Sequence, residues 1–141
     1  MEELRVRGVM PRRQYRDDAG ADLVIAPGTE TVILGPGECH MFDTGTAIDL
    51  PEEFTGLVFS RSGMGSRGIR VRNGVGVIDS SYKSNIKAMI ENVSDEPIWL
   101  QAWDRIAQLV IVPIVTPRFF RDPNDDWPKE ERGGFGSTGV A

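Results

Sequence analysis

The 141-residue chain is 40% hydrophobic and 26% charged, which suits one globular domain with its own core and argues against two small domains or a disordered chain. A formal net charge of −5 sets it against stable nucleic-acid binding or an anionic membrane surface, so any phosphate ligand must be held by a local basic site. The lone Cys39 excludes an internal disulfide framework and no membrane-length apolar run is present; a reducing cytoplasm is expected, the host's if the gene is viral.

Short apolar runs closed by turn-forming clusters predict strands over 21–26, 31–35, 40–50, 55–60, 69–78, 84–93, 97–101 and 106–115. "APG", "GPGE", "LPEE" and "SDEP" punctuate them, and the short spacing predicts an all-β sandwich or barrel. One helical turn is expected within Ser62–Gly68, where the glycines prevent extension. Strand–helix alternation is missing, which argues against a doubly wound nucleotide-binding fold. The segment 117–129 carries three prolines among charges and reads as a linker. The expected division is a β domain over 1–116 and a linker with a C-terminal arm over 117–141.

Several stretches offer chemistry. "DDAGADL" at 17–23 brings Asp17, Asp18 and Asp22 together, either as a solvated acidic turn or as carboxylates sharing a hard cation with a phosphate. Cys39 and His40 contain the elements of a thiol catalyst, but "GECHMF" also reads as a strand entered from a Pro-Gly turn. In "SRSGMGSRGI" at 60–69, Arg61, Ser62 and Gly63 offer a guanidinium, a hydroxyl and free N–H groups, a grip for phosphate oxygens or ordinary loop chemistry. "VRNGVGVIDSSYKSNIKAMI" at 71–90 reads as a hairpin whose tip carries Asp79 to Tyr82 and whose backbone could read the edge of a planar base. Asp79 follows Val77 and Ile78, so it is either a general base beside an apolar wall or the first residue of a turn. "WDRIAQLVIV" at 103–112 sets Asp104, Arg105 and Gln108 in an apolar strand, where the plain reading is a core strand with an ion pair at its mouth. The final "GGFGSTG" offers successive backbone donors, two hydroxyls and Phe135 for stacking, yet too little apolar surface to order itself.

Taken in order, "DAGADL", "RSGMG", "NGVGVIDSSY", "DRIAQL" and "GGFGSTG" resemble the five motifs of the trimeric deoxyuridine triphosphatase (dUTPase) family, over about residues 15 to 139. The resemblance implies a distorted jelly-roll or β-clip barrel, a homotrimer with active sites between subunits, and a mobile C-terminal arm that closes over the bound triphosphate. It also implies a Mg²⁺-dependent hydrolysis of dUTP to dUMP and pyrophosphate by water attack on the α-phosphorus, limiting uracil in DNA and supplying dUMP.

Carried onto this chain, Asp79 orients and deprotonates the water, and Tyr82 packs on the deoxyribose. Asn73, the backbone of Val77 and Ile78, and the facing backbone near Lys87 read uracil and exclude a 5-methyl group. Arg61, Ser62, Gly63 and Gln108 hold the phosphates, and Asp22 reaches Mg²⁺ through water. Phe135 lies over the base, with Gly136, Ser137 and Thr138 near the γ-phosphate. The family arginine of the last motif falls on Arg132 or, counted differently, on Glu130; Arg132 is preferred because a glutamate would repel the triphosphate. Ser81 stands where the family often has aspartate, Lys83-Ser84 where it often has Arg-Gly, and Trp103 where it often has glycine.

Two rivals remain in the sequence. The dCTP deaminases share the fold but place a catalytic glutamate ten positions after the aspartate, where this chain has Met89; Glu91 lies two residues on. A nucleotide-binding module without catalysis, or docking of a regulatory protein along 117–129, is the other.

Overall fold

The computed structural model describes residues 1–124 and 127–129. Short antiparallel strands dominate it: β1 (Arg5–Gly8), β2 (Ala21–Val24), β3 (Val32–Leu34), β4 (Cys39–Asp43), β5 (Thr46–Asp49) and β6 (Phe54–Phe59) precede the only helix among the described residues, α1 (Met64–Arg67). β7 (Ile69–Val71), β8 (Val75–Ile78), β9 (Lys87–Asn92), β10 (Ile98–Leu100) and β11 (Arg105–Pro113) follow. The pairings form a four-stranded sheet in the order β2-β11-β6-β8, a three-stranded sheet β4-β9-β7, and the two ribbons β1-β5 and β3-β10. The all-β expectation holds, and the single helical turn falls where the glycine-rich "RSGMG" run places it.

The core is where these sheets face one another. Leu23 and Ile25, Phe42, Val58, Ile86 and Ile90, Leu100 and Ile106 are all essentially excluded from solvent. Burial of each such side chain contributes roughly 1.5–3 kcal/mol, enough in sum to fix which face of each strand turns inward.

Two expected strands are broken, for the same reason. The run 40–50 divides at Thr44-Gly45, where Gly45 takes φ 70° and its N–H donates to Asp43 Oδ1 at 2.7 Å. That bend sends β4 to β9 and β5 to β1. The run 69–78 divides at Arg72–Gly74, with Gly74 at φ 72°, so β7 joins β9 while β8 joins β6. The segment 71–90 is therefore not a hairpin: β8 and β9 leave in different sheets. β1 was not expected from the sequence; its four residues "RVRG" are mostly exposed, and the only signal is the alternation of Leu4 and Val6 with charged neighbours.

Asn92 shows what a buried polar group contributes here. It has no solvent exposure, its Nδ2 donates to the carbonyls of Leu34 (2.9 Å) and Glu96 (2.8 Å), and its Oδ1 accepts from Ser94 N–H and Oγ. Asn92→Ala leaves those partners unpaired under the β9–β10 turn. It is expected to cost about 3 kcal/mol, measured as a lower midpoint in urea denaturation at unchanged slope.

Candidate active site

The side chains expected to hold phosphate meet at one end of the four-stranded sheet. Asp22 on β2 and Gln108 on β11 are directly opposed partners, and Gln108 is in turn opposite Phe59, whose strand runs into Arg61. Arg61 Nε lies 2.6 Å from Asp22 Oδ1, both side chains about one-fifth exposed, and Arg105 Nη1 reaches Asp22 Oδ2 at 3.6 Å. Asp22 is thus the shared acceptor for guanidiniums from two other parts of the chain. At the mouth of the 103–112 strand, Arg105 pairs with Asp22 of β2, while the Asp104 carboxylate accepts the Gln101 N–H at 3.0 Å.

Local structure fixes the rest of this grip. Gln108 Nε2 donates to the Ser60 carbonyl at 2.9 Å, and Ser60 Oγ accepts from Val71 N–H at 2.9 Å, so the strand end before Arg61 is tied to both neighbours. Met64 is buried beneath the turn and its Sδ accepts the Arg61 N–H at 3.0 Å. Ser62 and Gly63 stand exposed beside Arg61, and nothing lies within 4 Å of where a Cβ on Gly63 would be. Gly20 matters through absence: a Cβ there would sit 2.1 Å from Gln108 Oε1.

Asn73, Val77, Ile78 and Lys87 line a second feature, a cleft of about 600 Å³ between the diverging β8 and β9. β8 is the edge of its sheet, and β9 at Lys87–Ala88 is paired on one side only, by β4. Splaying the expected hairpin therefore leaves unpaired main-chain donors and acceptors facing a slot, which an intact hairpin would have consumed internally. Met41 and Met89 supply apolar wall to the slot and were not singled out by sequence reasoning. Their signal was only the outward alternation of β4 and β9.

Asp79 follows β8 and is exposed in this chain, without the apolar wall expected from its neighbours. It also opens a turn, its carbonyl accepting the Tyr82 N–H at 3.0 Å. Tyr82 is 37% exposed with its hydroxyl donating to the Asn85 carbonyl at 2.6 Å, so the ring is held by its far end. The next residue, Lys83, reaches Asp49 on β5 at 2.6 Å, and Arg5 on β1 holds the same carboxylate. The hydrogen bond from Lys83, then that from Arg5, keeps Asp49 below the usual carboxylate range. This anchorage is present above that range and is lost as pH falls through the lowered value.

Cys39 and His40 belong to β4 after the Pro36-Gly37 turn, as the plainer reading had it. Cys39 Sγ accepts from Arg72 Nη1 at 2.8 Å and the His40 ring packs 4.7 Å from Phe42, so the two side chains do not act as a pair. Glu91 is engaged by Arg70 Nε at 3.0 Å, while Met89 takes the slot. Arg132, Phe135, Gly136, Ser137 and Thr138 lie outside the described residues.

No group of three or more His, Cys, Asp or Glu side chains converges among the described residues. Asp22, already bound by two guanidiniums, offers one carboxylate. That donor set fits Mg²⁺ brought on a phosphate chain and touched through water, not an ion caged by protein.

Comparison with known proteins agrees with this geometry. The dUTPase family profile matches residues 7–139. A deoxyuridine 5'-triphosphate nucleotidohydrolase of Cutibacterium acnes is 43% identical over 136 residues, covering 94% of this chain and 86% of that one. A mutant dUTPase of Staphylococcus bacteriophage 80alpha, solved with dUpNHpp, superposes at a TM-score of 0.82 with 32% identity, over 99% of this chain and all (100%) of that one. A mutant dUTPase from phage phi11 of S. aureus, described with a coordinated structural Mg(II) ion, superposes at 0.78 with 29% identity, over 89% of this chain and 100% of the other. With nearly its whole length matched by the family profile, and the first four of the five segments folded around one sheet end and one slot, the chain belongs to the dUTPase family.

Proposed function

We propose that the chain hydrolyses dUTP to dUMP and pyrophosphate through water attack on the α-phosphorus, with Asp79 as the base that orients and deprotonates the water. The observation that carries this reading is the meeting of Asp22, Arg61 and Gln108, far apart in sequence, at one end of one sheet. Arg61, Ser62, Gly63 and Gln108 take the phosphate chain and oppose the negative charge that develops in the transition state. Uracil enters the slot between β8 and β9, where Asn73, the backbone of Val77 and Ile78, and the backbone near Lys87 meet its edge. Tyr82 closes the sugar side. When bound on the phosphates, Mg²⁺ offsets their charge, with Asp22 reaching one of its waters.

A homotrimer is part of the proposal. One face of the four-stranded sheet carries Leu57, Phe59, Val75, Val77, Val110 and Val112, cross-strand neighbours none of which is fully buried in the single chain. Val75 is 41% and Val77 61% exposed, an apolar face of the kind that a second copy buries. Assembly would also give Asp79 the wall it lacks in one chain. The residues of 117–141 then act as linker and closing arm, with Arg132, Phe135, Gly136, Ser137 and Thr138 over the substrate. A cytoplasmic location fits the lone thiol; no helix among the described residues is long and apolar enough to cross a membrane.

The test is pyrophosphate release from dUTP, dCTP, dTTP and UTP with Mg²⁺, beside an ammonia assay on dCTP. Pyrophosphate from dUTP alone supports the reading. Ammonia from dCTP would replace it with deamination, and binding of dUTP without turnover would make the chain a signalling module.

Gly20→Ala probes the grip while leaving every proposed substrate-binding side chain chemically unaltered. The added methyl displaces Gln108 from its seat on Ser60. We expect kcat/KM for dUTP to fall about ten-fold, the scale of one lost charge-assisted hydrogen bond, in steady-state kinetics.

A further inference from the structure

Beyond Asp22, on the side away from Gln108, lies a separate cleft of about 560 Å³. Its basic wall is Arg12, Arg13 and Arg105, and its apolar wall includes Met10 and Trp103. Arg12 is not there by chance of loop packing. It forms an isolated antiparallel bridge with Asp22, whose N–H donates to the Arg12 carbonyl at 2.7 Å. Bridged residues project to the same side of a sheet, so Arg12, Asp22 and Gln108 form one row, with the carboxylate in the middle. Arg13 is braced by its Nε donating to the Asp18 carbonyl at 2.8 Å, a contact that orients the guanidinium and leaves its charge unpaired. Asp18's own carboxylate is occupied by the Tyr15 N–H at 2.9 Å.

The charge count around Asp22 is uneven. Among the described residues Asp22 is the only carboxylate within ion-pair distance of Arg61 and Arg105, and no carboxylate comes within that distance of Arg12 or Arg13. Four guanidiniums and one carboxylate leave a surplus suited to a compact polyanion with several oxygens on each centre, which paired guanidiniums grip in forks. Trp103 adds to this. Its φ of 73° is the only left-handed non-glycine backbone among the described residues, and the turn is held by its N–H to the Ile25 carbonyl at 2.9 Å. A bulky residue pays roughly 1–3 kcal/mol of strain in that region. What it achieves is a broad, partly exposed apolar surface lining the same cleft as the arginines.

We propose that Arg12 and Arg13, with Arg105, form a diphosphate subsite continuous with the phosphate grip, and that it takes up pyrophosphate as that product separates from dUMP. The inference rests on the proposed hydrolysis, which generates this diphosphate beside Asp22. Release of a highly charged product then proceeds by transfer along neighbouring guanidiniums instead of direct escape from Arg61.

The experiment is calorimetric titration of the full chain with magnesium-free inorganic pyrophosphate, and separately with dUMP, for the unaltered protein, Arg12→Gln/Arg13→Gln and Arg12→Lys/Arg13→Lys. The glutamine pair is expected to weaken pyrophosphate about ten-fold or more while dUMP stays within about two-fold. The lysine pair should fall between, since charge is kept and the fork is lost. Unchanged pyrophosphate affinity in the glutamine pair would overturn the subsite, and so would an equal loss for dUMP, which would place the damage in the shared fold. Failure of the hydrolysis itself is read separately, as absence of pyrophosphate release from dUTP by the unaltered protein.

Discussion

Asp79→Asn is expected to bind dUTP about as tightly as the unaltered chain and to turn it over about 10²–10⁴-fold more slowly, the span usual for loss of a positioned general base. The substitution isolates chemistry because the fold does not use the carboxylate. The turn after β8 is closed by the Asp79 carbonyl, which accepts the Tyr82 N–H, and asparagine keeps that carbonyl. Asparagine also keeps the shape and one acceptor oxygen, so a water can still be seated; what it loses is the capacity to take the proton. Binding is measured with a non-hydrolysable dUTP analogue and turnover by pyrophosphate release, with thermal midpoints as the control on folding. Turnover near normal would remove Asp79 from the base role and direct attention to a carboxylate of another subunit.

The contrast between what the sequence disclosed and what it hid follows from the range of the forces involved. Strand existence was legible because alternation and turn residues act locally, as in "TGLVFS" giving β6 and "GPGE" giving the turn before β4. Strand pairing was not. Gly74 could close a hairpin or break one, and the choice is made by burial of Val58 and Val71 in a core whose other members lie far away in the chain. The residues expected to read a base do line one cleft, but not as a hairpin: its walls are the edge strand β8 and the singly paired start of β9. The same limit explains the arginines. "RSG" announced Arg61 within six residues, whereas Arg12 and Arg105 become neighbours of Asp22 only through one isolated bridge and one sheet register. Asp79 shows the converse, a side chain whose adjacent Val77 and Ile78 promised a wall that alternation points elsewhere.

Asp22→Asn separates two effects that Arg61→Ala loses together. In the empty protein Asp22 compensates Arg61 at 2.6 Å and Arg105 at 3.6 Å, competing with any phosphate for the same guanidiniums. Removing its charge frees them, so magnesium-free pyrophosphate is expected to bind about three- to ten-fold more tightly, the effect of one partly screened unit charge at short range. Turnover of dUTP with Mg²⁺ is expected to move the other way, down about 10–100-fold: in the proposed reading Asp22 would hold a phosphate-borne Mg²⁺ through water, and its loss also leaves Arg61 without the partner that orients it. Arg61→Ala removes the grip itself and lowers both, kcat/KM by about 10²–10³-fold. Opposite signs for the two measurements in Asp22→Asn identify a carboxylate that restrains anion binding in order to place the cation. A parallel fall would mean that Asp22 is needed chiefly to hold Arg61 and Arg105 in position.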